Sequence, residues 1–205
     1  MRKFRLFVLP WLCLSLIGLW GCSDNEPGNE VAEVSENVVR YNTTDYSVDT
    51  GLLNDFEDAG GHYNIDFSVT DGVYIPFQLY IGDYPVTYWT AEDATIEVYA
   101  ELYAPLESSD LQPVFRTGTF TFSAATANEV TRDAVFDDQY VFISAYVAID
   151  TNGDRDLPEE EEIVVTGGTI KVAGEYPNFV LTYDLELANG SQLIGSYSGE
   201  YLVDN

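Results

Sequence analysis

FVLTYDLEL, residues 179–187, carries an apolar side chain at every second position: Phe179, Leu181, Tyr183, Leu185 and Leu187 on one face, Val180, Thr182, Asp184 and Glu186 on the other. A period of two belongs to a strand, because successive side chains of an extended chain point to opposite sides. One apolar and one polar face is the signature of an antiparallel sheet packed on a core and wet outside. Working outward, Asn189-Gly190 follows the run and leads into a second strand region, 192–203. Asn-Gly between alternating runs predicts a tight hairpin, since a type I′ turn needs positive φ at both central residues. Upstream, Glu175-Tyr176-Pro177-Asn178 predicts a longer hairpin loop back to a strand near 163–172.

The same period recurs in the first half of the chain. Val73, Ile75, Phe77, Leu79 and Ile81 alternate with Tyr74, Pro76, Gln78 and Tyr80, and Ile96, Val98, Ala100 and Leu102 alternate with Glu97, Tyr99, Glu101 and Tyr103. Further strands are expected near 62–69, 117–123 and 138–149, and Asp71-Gly72 predicts a hairpin between the runs that flank it. Residues 140–149 (YVFISAYVAI) are apolar on both faces and read as a central strand, whereas 51–59 (GLLNDFEDA) is the one place for a helical turn. Eight or nine short strands joined by tight turns define an all-β fold. An antiparallel β-sandwich is expected, with a β-barrel as the alternative.

The N-terminus follows different rules. Arg2, Lys3 and Arg5 precede an apolar run from Leu6 to Trp20. That run falls short of the roughly 20 residues a spanning helix needs, and its basic start is that of a secretory signal. Leu19-Trp20-Gly21-Cys22 resembles the lipobox of bacterial lipoproteins, departing from it in the bulk of Trp20. The resemblance implies cleavage before Cys22 and lipid on its thiol; an ordinary signal followed by an incidental cysteine is the alternative. Two or more acyl chains hold a protein on its membrane where one gives only reversible binding. The expected organisation is therefore a signal peptide at 1–21, a lipidated acidic tether at 22–43 and one β domain at 44–205. Asp24, Glu26 and Glu30 resemble the acidic export signal of Bacteroidetes-type surface lipoproteins, which implies display on the outer membrane, its periplasmic face being the alternative. The closing passage GGTIKVAGEYPNFVLTYDLELANGSQLIGSYSGEYL (167–202) is likewise similar to the final β-meander of small lipoproteins of that group.

Charge narrows the partners. The chain carries 35 acidic and eight basic residues, net −27, and loss of residues 1–21 would bring this to −30. Such a surface repels nucleic acid, so no nucleic-acid partner is expected. With Cys13 removed and Cys22 lipidated, neither cysteine remains for a disulfide or a thiolate site.

Candidate chemistry is sparse. His62 is the one histidine, at the start of a strand, and no nucleophile elbow, Walker loop or zinc-protease motif occurs, so no catalytic residue is assigned. The 150–161 run, DTNGDRDLPEEE, sets oxygen-bearing side chains at alternate positions, as a hard cation demands. It resembles an EF-hand-type calcium loop, which implies Ca²⁺ held by Asp150, Asn152, Asp154, Asp156 and Glu161. Arg155 stands where that loop has its turning glycine, and an acidic connecting loop is the alternative. The 15 tyrosines are the other oddity: Tyr80, Tyr84, Tyr88 and Trp89 cluster together, and Tyr99 and Tyr103 share a face with glutamates. Such rings stack on sugars or anchor a protein partner. The expected function is a lipid-anchored, non-enzymatic binding or adhesion module that meets a glycan or a surface protein. A glycan hydrolase using paired carboxylates and a barrel carrying an apolar ligand are the alternatives.

Overall fold

The computed structural model describes residues 36–58, 61–106, 112–125 and 135–204; the expected signal peptide, Cys22 and residues 23–35 of the expected tether lie outside the described residues. What is described is nearly all β. The strands are β1 (Val38–Tyr41), β2 (Thr44–Ser47), β3 (Thr50–Asp58), β4 (His62–Thr70), β5 (Val73–Ile81), β6 (Tyr84–Glu92), β7 (Ile96–Pro105), β8 (Thr119–Phe122), β9 (Val141–Ile149), β10 (Glu162–Glu175), β11 (Asn178–Leu187), β12 (Gln192–Ser198) and β13 (Tyr201–Asp204). A 3₁₀ turn, Glu159–Glu161, precedes β10.

Eleven strands form one sheet in the order β13-β3-β4-β7-β9-β8-β10-β11-β12-β1-β2, and β5 and β6 form a separate hairpin. The expected eight or nine strands in a two-sheet sandwich are therefore not the arrangement found. The sheet instead curls into a half-barrel. Phe67 on β4 and Phe179 on β11 stand five places apart in the strand order, yet their rings meet edge to face at 5.5 Å. Only a sheet folded over itself brings those strands together, as the right-handed twist of adjacent strands allows. The concave side holds the core, where Leu53, Ile65, Phe67, Val98, Phe120, Phe142, Ile170, Leu181 and Leu193 are buried.

The closing meander follows its sequence closely. β11 alternates exposed and buried over all ten residues and pairs antiparallel with β10 and β12. Asn189-Gly190 is the β11–β12 turn, with Gly190 at φ 81° and its N–H donating to Leu187 O at 2.9 Å. The 138–149 run becomes β9, which is central, pairing with β7, β8 and β10.

Four expectations are corrected. Val38–Tyr41, assigned to the tether, is a sheet strand between β12 and β2. Val39 is fully buried there, and Arg40 is paired with Asp45, so the polar letters around them concealed one core anchor. Over 51–58 the helical turn expected at 51–59 is instead strand β3, because β4 and β13 satisfy its backbone on either side. The 192–203 region divides at Gly199-Glu200, and β13 leaves β12 to pair in parallel with β3. Asp71-Gly72 makes no hairpin: β4 pairs with β3 and β7, while β5 pairs with β6. The Asp71 carboxylate instead accepts from Thr95 N (2.7 Å), from Ile96 N (3.1 Å) and from the Thr95 hydroxyl, tying the corner to the start of β7. A Cβ on Gly72 would lie 2.4 Å from Glu92 O, so glycine lets the two ends of the β5–β6 hairpin close together here.

Candidate functional site

The corner at Asp71-Gly72 swings the hairpin over the convex face of the sheet. Its roots pack there through Tyr74, Ala91, Ala94 and Leu52, with Trp89 and Leu157 against them. Beneath it lies a cleft of about 570 Å³, lined from the sheet by Leu52, Asn54, Ser68, Glu97, Tyr99, Tyr146 and Glu162, and from the hairpin by Tyr74 and residues 86–91. Asp55, Phe56, Leu157 and Asp204 complete the wall.

Register explains why these side chains meet. Ser68 is opposite Tyr99, and Tyr99 is opposite Tyr146, so one row runs across β4, β7 and β9 on the cleft side. The Tyr99 and Tyr146 rings stack at 5.0 Å, 19° from parallel. In the next row Glu97 and Glu162 both face Ala148, from β7 and β10. With about 4.8 Å between strands, their Cα atoms stand roughly 10 Å apart over a methyl group, which leaves room above it. On β3 a bulge between Asp55 and Glu57, with Glu57 at φ 54°, turns Phe56 outward to the cleft rim.

The electrostatics are one-sided. Four carboxylates line the cleft, and no lysine, arginine or histidine does. Glu97 accepts from Tyr74 Oη at 3.1 Å and from Tyr146 Oη at 3.3 Å. Burial nevertheless raises its pKa, with the charge of Glu162 adding to the effect. Glu162 is raised as well, by burial and then by Glu159. Behind Ser68, Asp66 is 9 % exposed; one oxygen accepts from Tyr99 Oη at 2.8 Å, and Oδ1 has no partner. Desolvation pushes its pKa up to about 7 despite that hydrogen bond. The tyrosines beside these carboxylates, Tyr74, Tyr99 and Tyr146, are raised in turn by burial and by the neighbouring negative charges. The Trp89 indole N–H is buried without an acceptor.

Of the aromatic residues singled out from the sequence, Tyr88, Trp89 and Tyr99 come together in this cleft. Tyr80 and Tyr84 do not: they stand 70 % and 77 % exposed near the hairpin tip. Tyr103 is fully buried, its ring against Phe136 and its hydroxyl donating to Glu101. His62 is buried at its strand end, with Nε2 2.9 Å from Asp137 O. Sequence reasoning missed Glu97, Glu162 and Asp66 as a group. The available signal was Glu97's place on the same strand face as Tyr99; the strands of Glu162 and Asp66 carry no such signal.

The 150–161 loop is built by its own side chains. Asp150 accepts from the N–H groups of Asn152, Gly153 and Arg155 at 3.1, 2.6 and 2.9 Å, and these bonds hold its pKa below the usual carboxylate range. Asn152 accepts from Asp154 N, Asp154 from Asp156 N, and Glu161 from Thr151. Arg155 adopts φ 64°, the left-handed conformation that a turning glycine would take, and its guanidinium pairs with Asp93. Among the described residues no three His, Cys, Asp or Glu side chains form a group arranged to hold a metal.

No protein-family model, curated protein or solved structure matches the chain.

Proposed function

We propose that this chain is a lipid-anchored binding module of the outer membrane surface, non-enzymatic, with the cleft beneath the β5–β6 hairpin as its ligand site. The observation that carries the reading is the cleft: a recess of about 570 Å³ that combines aromatic faces with inward carboxylates. Ligand sites are concave, largely preformed and lined by apolar surface with a few converging polar groups. Lipid on Cys22 would keep that recess at the membrane, and the segment from Ser23 to Ser35 would give it reach. Calcium on the 150–161 loop is a further element of the proposal, with Asp150, Asn152, Asp154, Asp156 and Glu161 as the candidate ligands.

Two experiments test it. Cys22→Ser should release the protein from membranes and abolish palmitate labelling; unchanged labelling removes the anchor at this site. A glycan array probed with the whole protein, with and without calcium, should give signals that Tyr88→Ala abolishes. Signals indifferent to that substitution would move the site elsewhere.

The Glu97–Ala148–Glu162 row favours a second reading, a glycan hydrolase in which Glu97, with its raised pKa, protonates the leaving oxygen and Glu162 serves as base. Turnover of aryl glycosides that is lost in both Glu97→Gln and Glu162→Gln would establish it over the binding module.

A further inference from the structure

We infer that the cleft takes an organic cation: an ammonium-bearing body with one apolar face and at least one hydrogen-bond acceptor. This rests on the reading of the cleft as a ligand site and adds the class of ligand.

Three features of the wall point the same way. First, Asp55, Glu97, Glu162 and Asp204 line it without a basic side chain to balance them. The negative charge of Glu162 bears on Glu97 across this partly dehydrated recess, and a cation lying between them relieves that repulsion. A neutral ligand would shut the carboxylates away from water and leave the repulsion in place. Second, the Trp89 indole N–H in the hairpin wall is buried without an acceptor. It is a donor, which an ammonium alone cannot satisfy, so the ligand also carries an oxygen acceptor. Third, Phe56, Tyr74, Tyr88, Trp89, Tyr99 and Tyr146 present rings to the same space. Ring faces attract an ammonium through the quadrupole and pack against an apolar body.

A bare metal ion fits less well. Both Glu97 oxygens already accept tyrosine hydroxyls, and aromatic surface separates the carboxylates. The net charge of −27 adds a long-range term, raising the local concentration of cations at any acidic recess.

An ammonium on such a body comes from an amino sugar or from a lysine side chain, and matched probes tell the two apart. Trp89 is the reporter. Tryptophan occurs at positions 11, 20 and 89, so the full chain with Trp11→Phe and Trp20→Phe carries Trp89 alone. Its fluorescence is followed while the detergent-purified protein is titrated, to about 10 mM, with a glucosamine trimer, its N-acetylated form, a Gly-Lys-Gly peptide and its acetyl-lysine form.

The expected result is that one charged probe binds at least about tenfold tighter than its acetylated partner; which pair responds identifies the source. Glu97→Gln should remove most of that preference, and Glu186→Gln, on the wet face of β11, should leave it unchanged. Tyr88→Ala, at a position 39 % exposed, gives a second cleft variant that does not depend on a buried group. Its expected effect is weaker binding of every probe that binds. Acetylated probes that bind as tightly as charged ones, with binding lost in Tyr88→Ala, would overturn the cation while leaving the cleft as the site. Silence from all four probes would overturn both.

Discussion

β4 and β11 are written in the same alphabet and end in opposite surroundings. HYNIDFSVT and NFVLTYDLEL both alternate apolar and polar residues. In β11 the polar residues are exposed, as alternation predicts. In β4 all nine residues are buried, the polar His62, Asn64, Asp66, Ser68 and Thr70 along with the core-facing Ile65 and Phe67. Asn64 is bonded to Leu102 O at 3.2 Å, Thr70 to Ile96 O at 2.7 Å, and Asp66 to Tyr99. The difference lies in what covers each strand. Nothing described lies over the wet side of β11, whereas the hairpin covers the Ser68 stretch of β4 and the adjoining parts of β3, β7 and β9, and the turn carrying Phe136 and Asp137 covers the His62 end. A polar face that a protein covers is bought with desolvation, and here the covered face borders a cleft.

The comparison can be broken at several points. The largest effect is expected at the far edge of the meander. Truncation through Ser35 should leave cooperative unfolding intact, whereas truncation through Tyr41 removes β1, with its buried Val39, and strips β2 of its partner. The second truncation should abolish the cooperative transition; equal melting of the two forms would mean β1 is not part of the fold.

Next come the two faces directly. Phe67→Ala, which empties a core site touching Phe115, Phe179 and Tyr201, should cost about 3–5 kcal/mol in denaturant unfolding. Thr182→Ala, on the wet side of β11, should stay within about 0.5 kcal/mol. Comparable losses would remove the distinction between core and surface faces.

The covered polar face has its own signature in pH. Asp66 is raised in the folded state from its ordinary 3.8 to about 7 by desolvation, with Tyr99 and Asn64 opposing and Glu101 adding. A carboxyl raised on folding contributes stability in full below its unfolded pKa, and that contribution is lost as pH climbs through the folded value. Wild type should therefore lose on the order of 3–4 kcal/mol between about pH 4 and pH 7 through this group. Asp66→Asn should lack that component, and identical pH profiles for the two would contradict the burial of Asp66.

The loop joining β9 under the cleft to β10 of the meander gives the smallest effect. Calcium at a hundredfold excess over its Kd should stabilise the fold by roughly 2.7 kcal/mol. The melting gain over magnesium at matched ionic strength should vanish in Asp154→Ala. Equal melting in the two ions would reduce the run to an acidic loop.

The sequence made the meander legible because each strand there has one neighbour in the core and one in water. It made the first half less so for three physical reasons. Alternation records two unlike faces but not whether the polar one meets solvent, a roof or a ligand, so β4 reads like β11. Asp71-Gly72 carries hairpin letters, yet its carboxylate is consumed by Thr95 and Ile96, a contact 24 residues away that no local pattern encodes. Glu97 and Glu162 were hidden by abundance: among 35 acidic residues, a pair separated by 65 positions has no contrast until register sets both beside Ala148. The aromatic cluster stands out by composition, so Tyr88, Trp89 and Tyr99 are legible in the sequence while the carboxylates beside them are not.

The most direct test of the covered acidic face is a carbon-detected NMR titration of the side-chain carboxyls in the folded protein. Asp66 should titrate near pH 7, and Glu97 above the ordinary glutamate range, with Tyr146→Phe raising Glu97 further by removing a hydroxyl that donates to it. An Asp66 carboxyl that titrates near pH 4, like a solvated aspartate, would mean that the polar side of β4 is wet and would contradict the covered acidic face.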